Sequence, residues 1–426
     1  MLRSDSVIRI AAVLAASVVA ANASATNGYF SHGYGNQSKG AAGVAAALPQ
    51  DALVTATNPA GLLFVGDRLD LGVDVFLPRR NAKITGNLFG ADESFSGNDS
   101  QVFYIPEFGY SRQLSDDMAV GLAVYGNGGI NTDYADNPFA RFGATGSAGV
   151  NMEQLFISPA AAWRLTPNSS FGIAVNLAYQ RFSAKGLGPF AAPGVSVDPA
   201  NVTNNGRDDS TGWGVRVGWQ GSISERVDVG LSWQSKTRMS EFDDYSGLFP
   251  NGGEFDIAEN YVLGAAFEAT DALTLAMDWQ RILYSDTPAA GNSAFLLFAD
   301  GIPLGSKDGP GFGWRDIDVI KLAAVYQASE SLTLRAGFSH TEQPIPQKQT
   351  FFNILAPGVV QQHASLGATW QLNASNALTF AYTHAFGEWV RGAGSIPPGL
   401  PPGFGGGEAD VYLQEDIFGL SWNLAL

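Results

Sequence analysis

The chain has 426 residues, of which 45% are hydrophobic and only 15% charged, with a formal net charge of -16 and no cysteine. That acidic balance excludes nucleic acid as a partner, and the missing cysteine excludes disulfides and thiolate metal sites. Water-soluble domains carry about a quarter charged residues, so something other than water faces much of this surface.

Arg3 and Arg9 precede an apolar run from Ile10 to Ala20, which ends in Ala23-Ser24-Ala25. This pattern predicts a secretory signal over residues 1–25, with cleavage before Thr26 or, as the neighbouring choice, after Ala23. No later segment offers the roughly 18 apolar residues of a membrane helix. Residues 26–66 then show no alternation. Gly28, Gly33, Gly35, Gly40 and Gly43 permit irregular turns there, Ala41 to Ala47 suits a short helix, and the segment closes on Asn58-Pro59-Ala60-Gly61. Pro59 fixes its own backbone and biases Asn58 away from helix, which predicts a sharp turn.

From residue 67 onward the period is two. Phe171, Ile173, Val175, Leu177 and Tyr179 alternate with Gly172, Ala174, Asn176, Ala178 and Gln180, and Leu273, Leu275, Met277 and Trp279 alternate with Thr274, Ala276, Asp278 and Gln280. Fourteen such segments start near Arg68, Val102, Met118, Leu155, Phe171, Trp213, Val227, Tyr261, Leu273, Asp318, Leu332, Ala364, Leu378 and Asp410. Short turns, as at Ser115-Asp116-Asp117 and Thr166-Pro167-Asn168, alternate strictly with long loops, as at 286–315 and 341–361. An even strand count with this asymmetry predicts an all-β, antiparallel outer-membrane barrel over residues 67–426, with short turns and both termini in the periplasm. Closure follows because hydrocarbon offers no partner to a free strand edge. Trp163, Trp219, Trp233, Trp279, Trp370 and Trp422 suit interfacial girdles. The last residue, Leu426, departs from the aromatic end that the assembly machinery commonly reads.

A fourteen-stranded ring leaves a lumen that must be open or plugged, and residues 26–66 are the candidate plug. TNGYFSHGYGNQSKGAAG, then ALPQDALVTATNPAGL, then fourteen strands, resembles the FadL family of outer-membrane transporters for long-chain fatty acids and other hydrophobic compounds. The resemblance covers essentially the whole mature chain, and its best local mark is Asn58-Pro59-Ala60. It implies an N-terminal hatch gated at Asn58, Pro59, Ala60 and Gly61, with hatch anchoring ahead of ligand contact. It also implies a kink in the third strand, for which Gly126, Gly128 and Gly129 in YGNGGINTDY are the candidates, opening the wall sideways. Passive diffusion of fatty acids, or alternatively of aromatic hydrocarbons, is the implied function.

The long loops are unusually apolar. Leu187, Phe190, Leu248, Phe249, Phe295, Leu296, Leu297, Phe298, Phe351 and Phe352 are candidates for capturing cargo, since exposed apolar patches mark binding sites; packing of the loops on one another as a lid is the plainer alternative. Arg216, Lys321 and Arg335 fall on inward strand faces and are expected to pair with inward carboxylates such as Asp70, Asp74, Asp228 and Asp278. The resemblance would also bring the Thr26 amine near a cargo carboxylate. Partners are expected to be the hydrophobic cargo, outer-membrane lipid and lipopolysaccharide, and the barrel assembly machinery, around a monomer. No cofactor, metal or catalytic set is expected: Ser339 and His340 are adjacent on a strand and point to opposite faces. A general porin for polar solutes is the rival reading, and a surface adhesin remains open for the loops.

Overall fold

The computed structural model describes residues 27–399 and 403–426. The expected signal, its cleavage site and the Thr26 amine lie outside them. The period-two segments form the strands β1 (Arg68–Thr85), β2 (Glu93–Ser96), β3 (Phe103–Ser115), β4 (Met118–Tyr134), β5 (Ala148–Thr166) and β6 (Ser169–Lys185). They continue as β7 (Asp208–Ser224), β8 (Val227–Gln234), β9 (Arg238–Met239), β10 (Glu259–Thr270) and β11 (Leu273–Leu283). The last five are β12 (Ile317–Ser329), β13 (Leu332–Thr341), β14 (Gln362–Asn373), β15 (Asn376–Val390) and β16 (Glu408–Ala425). Two of the sixteen, β2 and β9, are short additions at the rim; the other fourteen pair antiparallel in sequence order. β1 closes the ring on β16, with Arg68 opposite Ala425 and Thr85 opposite Glu408.

The alternation resolves into an inverted protein. On β6, Ile173, Val175 and Leu177 are 37%, 37% and 48% exposed, while Ala174, Asn176 and Ala178 are buried. An apolar outer band with a covered interior is the arrangement a lipid-facing barrel requires. Among the described residues no helix is long and apolar enough to cross a membrane. Most strands begin within a few residues of their expected starts. β5 is the exception, starting at Ala148 and not near Leu155, because residues 148–154 mix polar and apolar types and carry no clean alternation.

Residues 27–66 lie inside the ring. The expected helix over Ala41–Ala47 is absent; one turn of helix occupies Asn36–Lys39. The left-handed backbone of Ala42 and Gly43 (φ 55° and 77°) interrupts any helix there. The lumen charges also depart from expectation, for they clamp this segment in preference to pairing with one another. Arg216 donates to the Thr57 carbonyl (3.0 Å) and to Gln234, Lys321 to the His32 carbonyl (3.1 Å), and Arg335 to Gln37 (2.8 Å) and Gln50 (2.6 Å). Asp278 accepts from the Ala45 and Ala46 amides (2.9 and 3.1 Å). Asp74 and Glu107 hold Lys39, the latter at 2.7 Å. Of the four expected carboxylates, Asp70 pairs with Arg68 at 2.8 Å and Asp228 accepts from Ser222 at 2.5 Å.

Candidate functional site

The Asn58-Pro59-Ala60-Gly61 turn sits between plug and wall. Asn58 caps the 3-10 turn Pro59–Phe64 by accepting from the Ala60 amide (3.2 Å), with Pro59 preorganised at its first position. Its Nδ2 donates to the Ala46 carbonyl (2.7 Å) and to the Trp219 carbonyl of β7 (3.1 Å). A Cβ at Gly218 of β7 would overlap the Asn58 side chain, so a glycine there admits it. Ser170 of β6 donates to the Ala60 carbonyl (3.1 Å). None of these four residues lines the pockets described below.

The wall changes character at β4. Its ladder with β3 runs from Ser115 opposite Met118 to Phe108 opposite Val124 and stops. Beyond that point Phe103 to Glu107 pair with β1, and β4 pairs with β5, through a bulge between Gly126 and Gly128 that leaves Asn127 as the extra residue. The plug takes β3's place. Phe30 bridges Gly128, the Gly129 amide donates to the Tyr29 carbonyl (3.0 Å), and the Ser31 amide donates to the Asn127 carbonyl (2.9 Å). A Cβ at Gly128 would collide with that Tyr29 carbonyl, so only glycine admits the plug tip. Higher up, the Asp133 amide donates to the Gly97 carbonyl (3.2 Å), which ends the unpaired stretch. By register its start, Tyr125, lies level with Phe156, beside Leu155 and Tyr179.

Two cavities touch this arm, and a third lies among the loops. The first lies among the loops and is lined by Leu187, Phe190, Leu248, Phe249 and Phe352, together with Phe182, Phe312 and Leu355. Its volume is ≈ 40 Å³, on a scale where one water needs about 10–15 Å³. The apolar loop residues are not an open patch. Leu187, Phe190, Phe249 and Phe351 are 0–4% exposed, and the rings of Phe190, Phe351, Phe352, Phe298 and Phe404 pack, mostly edge-on or tilted, with centroids 5.1–6.5 Å apart. The loops therefore pack as a lid with a slot in it. Phe295 (6.0 Å from Phe298) and Leu297 support that lid, and Leu296 is half-buried outside the slot.

The second cavity, ≈ 30 Å³, lies in the lumen against the plug tip at Gly28 and the β4 arm at Gly129 and Ile130, with Arg80, Trp314, Ala356 and Glu415 around it. Phe312 and Leu355 face the loop slot, whereas Trp314 and Ala356 face the lumen pocket, so this thin layer divides the two. Trp314 is held by Asn353 (2.6 Å) and packs on Tyr29 (5.8 Å) and Tyr284 (5.1 Å). The third cavity is an open cleft of ≈ 660 Å³ bounded by Phe103, Asn131, Asp133, Lys185 and Arg207. Asn131 lines both the lumen pocket and the cleft. Arg80 fixes it there, donating to its carbonyl (3.0 Å) and side chain and to the Ser100 carbonyl. Arg80, Trp314 and Phe312 escaped the sequence reading; they are isolated residues whose importance comes from distant elements meeting.

Polar pairs deeper in the lumen were also missed. Ser339 bonds His363 (3.1 Å) and Ser365 bonds His32 (3.3 Å), with the two imidazoles 4.8 Å apart. The Ser365–His32 contact and the His32–His363 ring pair join plug to wall. Burial and the neighbouring His363, Lys321 and Lys39 push the His32 pKa well below its ordinary value. Burial, then the Asp70 charge, pushes Asp51 in the plug up to about 7. No group of three or more metal-ligating side chains occurs among the described residues.

A closed, lipid-faced barrel with its lumen occupied by its own N-terminal segment defines the class: a plugged outer-membrane channel. Residues 12–393 match the family model described as outer membrane protein transport protein (OMPP1/FadL/TodX), and the chain belongs to that family. It is 22% identical over 398 residues to outer membrane protein P1 of Haemophilus influenzae, covering 81% of this chain and 83% of that protein. Its fold is similar to that of the toluene transporter TodX of Pseudomonas putida (TM-score 0.67, 18% identity, 93% of this chain and 99% of that one). It is likewise similar to a FadL homologue of Pseudomonas aeruginosa (TM-score 0.69, 17% identity, 93% and 99%). The family consists of outer-membrane channels for hydrophobic compounds, which carries the barrel into the outer membrane of a Gram-negative cell.

Proposed function

We propose that this chain admits hydrophobic molecules passively through a side exit, in the order loop slot, lumen pocket, wall gap. One observation carries the reading: the lumen pocket touches both the aromatic partition below the loop slot and the unpaired β4 arm, where Asn131 alone borders pocket and outer cleft alike. Cargo leaves water for the slot because apolar burial is favourable by roughly 25 cal/mol per Å². Movement of the plug tip, which shares backbone bonds with Gly129 and Asn127, then opens the way to the wall. The short β-turns lie at the same end as Arg68 and Ala425, which supports periplasmic termini.

Of the two cargo classes, compact rings are the first reading, because Phe182, Phe190, Phe249, Phe312 and Phe352 line the slot and offer edge-to-face contacts. Fatty acids are the second reading, favoured by the end-to-end succession of three cavities. The test is uptake of labelled toluene and oleate by cells lacking their own transporter. Saturable toluene uptake that disappears in a correctly folded Gly129→Trp variant is expected, since an indole there fills the lumen pocket beside the gap. Undiminished uptake through that variant removes the lateral route. A large steady single-channel current would instead support a general porin.

A further inference from the structure

The proposed path leaves one lumen group unused. Glu415, on the inward face of β16, lines the lumen pocket and is 1% exposed, and neither carboxyl oxygen has a hydrogen-bond partner among the described residues. Its neighbour Arg80 does not supply one. Pro78 stands opposite Glu415 and Arg80 opposite Leu413, and the Arg80 guanidinium is turned to Asn131 and Ser100. A buried carboxyl group without a donor is costly, so this position calls for one from the pocket's contents. The cavity of ≈ 30 Å³ admits about two waters, and its other walls include Phe76, Ile130, Trp314 and Leu413.

The pocket also holds an unpartnered donor, the Nε of Arg80, so one orphaned acceptor and one orphaned donor suit an apolar molecule that ends in a group able to donate and accept. A carboxylate can accept from Arg80 and has no proton for Glu415, and an ammonium can donate to Glu415 and has no acceptor for Arg80; a neutral hydroxyl supplies both. We propose that the lumen pocket selects hydrophobic cargo ending in a neutral hydrogen-bond donor, a phenol or alcohol hydroxyl that donates to Glu415, and turns away ionised carboxylates. This rests on the transport reading above.

The experiment measures binding of 4-octylphenol, octylbenzene and 4-octylbenzoate to the full mature protein in liposomes, by equilibrium dialysis against protein-free liposomes. The phenol is expected to bind about tenfold more tightly than the hydrocarbon, the scale of one hydrogen bond, and the benzoate more weakly than the phenol. Glu415→Leu should bring the phenol-to-hydrocarbon ratio close to one. Glu415→Gln, which keeps an acceptor and adds an N–H donor, should retain the phenol preference and raise benzoate binding several-fold; it also reports should the leucine variant not fold. An unchanged ratio in Glu415→Leu, unchanged benzoate rejection in Glu415→Gln, or benzoate binding equal to phenol in the native protein would overturn the proposal while hydrocarbon binding left transport standing. Binding of none of the three would overturn the transport reading and this inference with it.

Discussion

The two ends of the plug are held by different forces. Its body, from Asn36 to Gly61, is tied to the wall by buried charges and side-chain amides: Lys39 to Asp74 and Glu107, Asp278 to two amides, Asn58 to Trp219. Its tip, residues 27–31, rests in rings, with Tyr29 against Phe30, Phe255, Tyr284 and Trp314 at 5.0–5.9 Å, and among the described residues is tied by neutral hydrogen bonds alone: to β4 at the bulge, from the Ala258 amide to the Tyr29 hydroxyl (2.9 Å), and through the Tyr284 hydroxyl to the Tyr29 amide (3.2 Å) and the Asn27 carbonyl. Buried hydrogen-bonded charges do not slide, because each displaced partner is left uncompensated. Ring contacts carry no such directional penalty. The contrast supports the proposed motion of the tip about an anchored body, and the lumen pocket lies against the tip at Gly28.

The hardest way to break this contrast is Lys39→Met. It strands Asp74 and Glu107 and should cost the docked plug about 3–5 kcal/mol, seen as a lowered midpoint of plug unfolding and a raised single-channel conductance. Gly128→Val attacks the tip alone. Overpacking against Tyr29 should cost about 1–3 kcal/mol, raising hydrogen exchange at the Gly129 and Ser31 amides while Ala45 and Ala46 stay protected. Equal exposure of both regions would mean the plug moves as one body. Trp314→Ala joins the loop slot to the lumen pocket and should speed entry of bulky cargo several-fold in a liposome assay, with little change for toluene.

The finest test uses pH. Asp51 is raised in the docked plug to about 7, so its contribution is present below its ordinary carboxylate range and is lost as pH rises toward 7. His32 is lowered, so its contribution is present above an imidazole's ordinary value of about 6.5 and is lost as pH falls below it. The slopes oppose in the window below about pH 6.5. Asp51→Asn should weaken docking on acidification through that window and His32→Gln on alkalinisation, read as protease protection of the plug.

The barrel was legible because lipid on one face and a covered lumen on the other impose a two-residue period that Ile173 to Ala178 display without context. The Asn58 turn was legible because Asn-Pro constrains its own backbone. The small helix was misplaced because Ala41 to Ala47 has helical propensity but Ala42 and Gly43 adopt left-handed backbone against Gly33 and His32. Arg216, Lys321 and Arg335 were read as facing inward, yet their partners are plug atoms far off in sequence. The same distance hid Arg80, Trp314 and Glu415: each owes its place to strands and loops that meet only on closure. The loop residues were legible as apolar, while their burial in a mutual lid depends on which loops lean together.

The anchoring bonds also impose an order on biogenesis. Residues 32–61 leave the ribosome before any wall strand, but their partners are spread from Asp70 and Asp74 on β1 through Arg216, Asp278, Lys321 and Arg335 to His363 on β14. No subset of strands can satisfy them, so seating is a late, long-range event of the kind that slows folding. Until then Lys39, Asp74 and Glu107 stand solvated inside an unfinished ring. Only a ring of correct register presents every partner at once, so a seated plug reports a correctly closed wall.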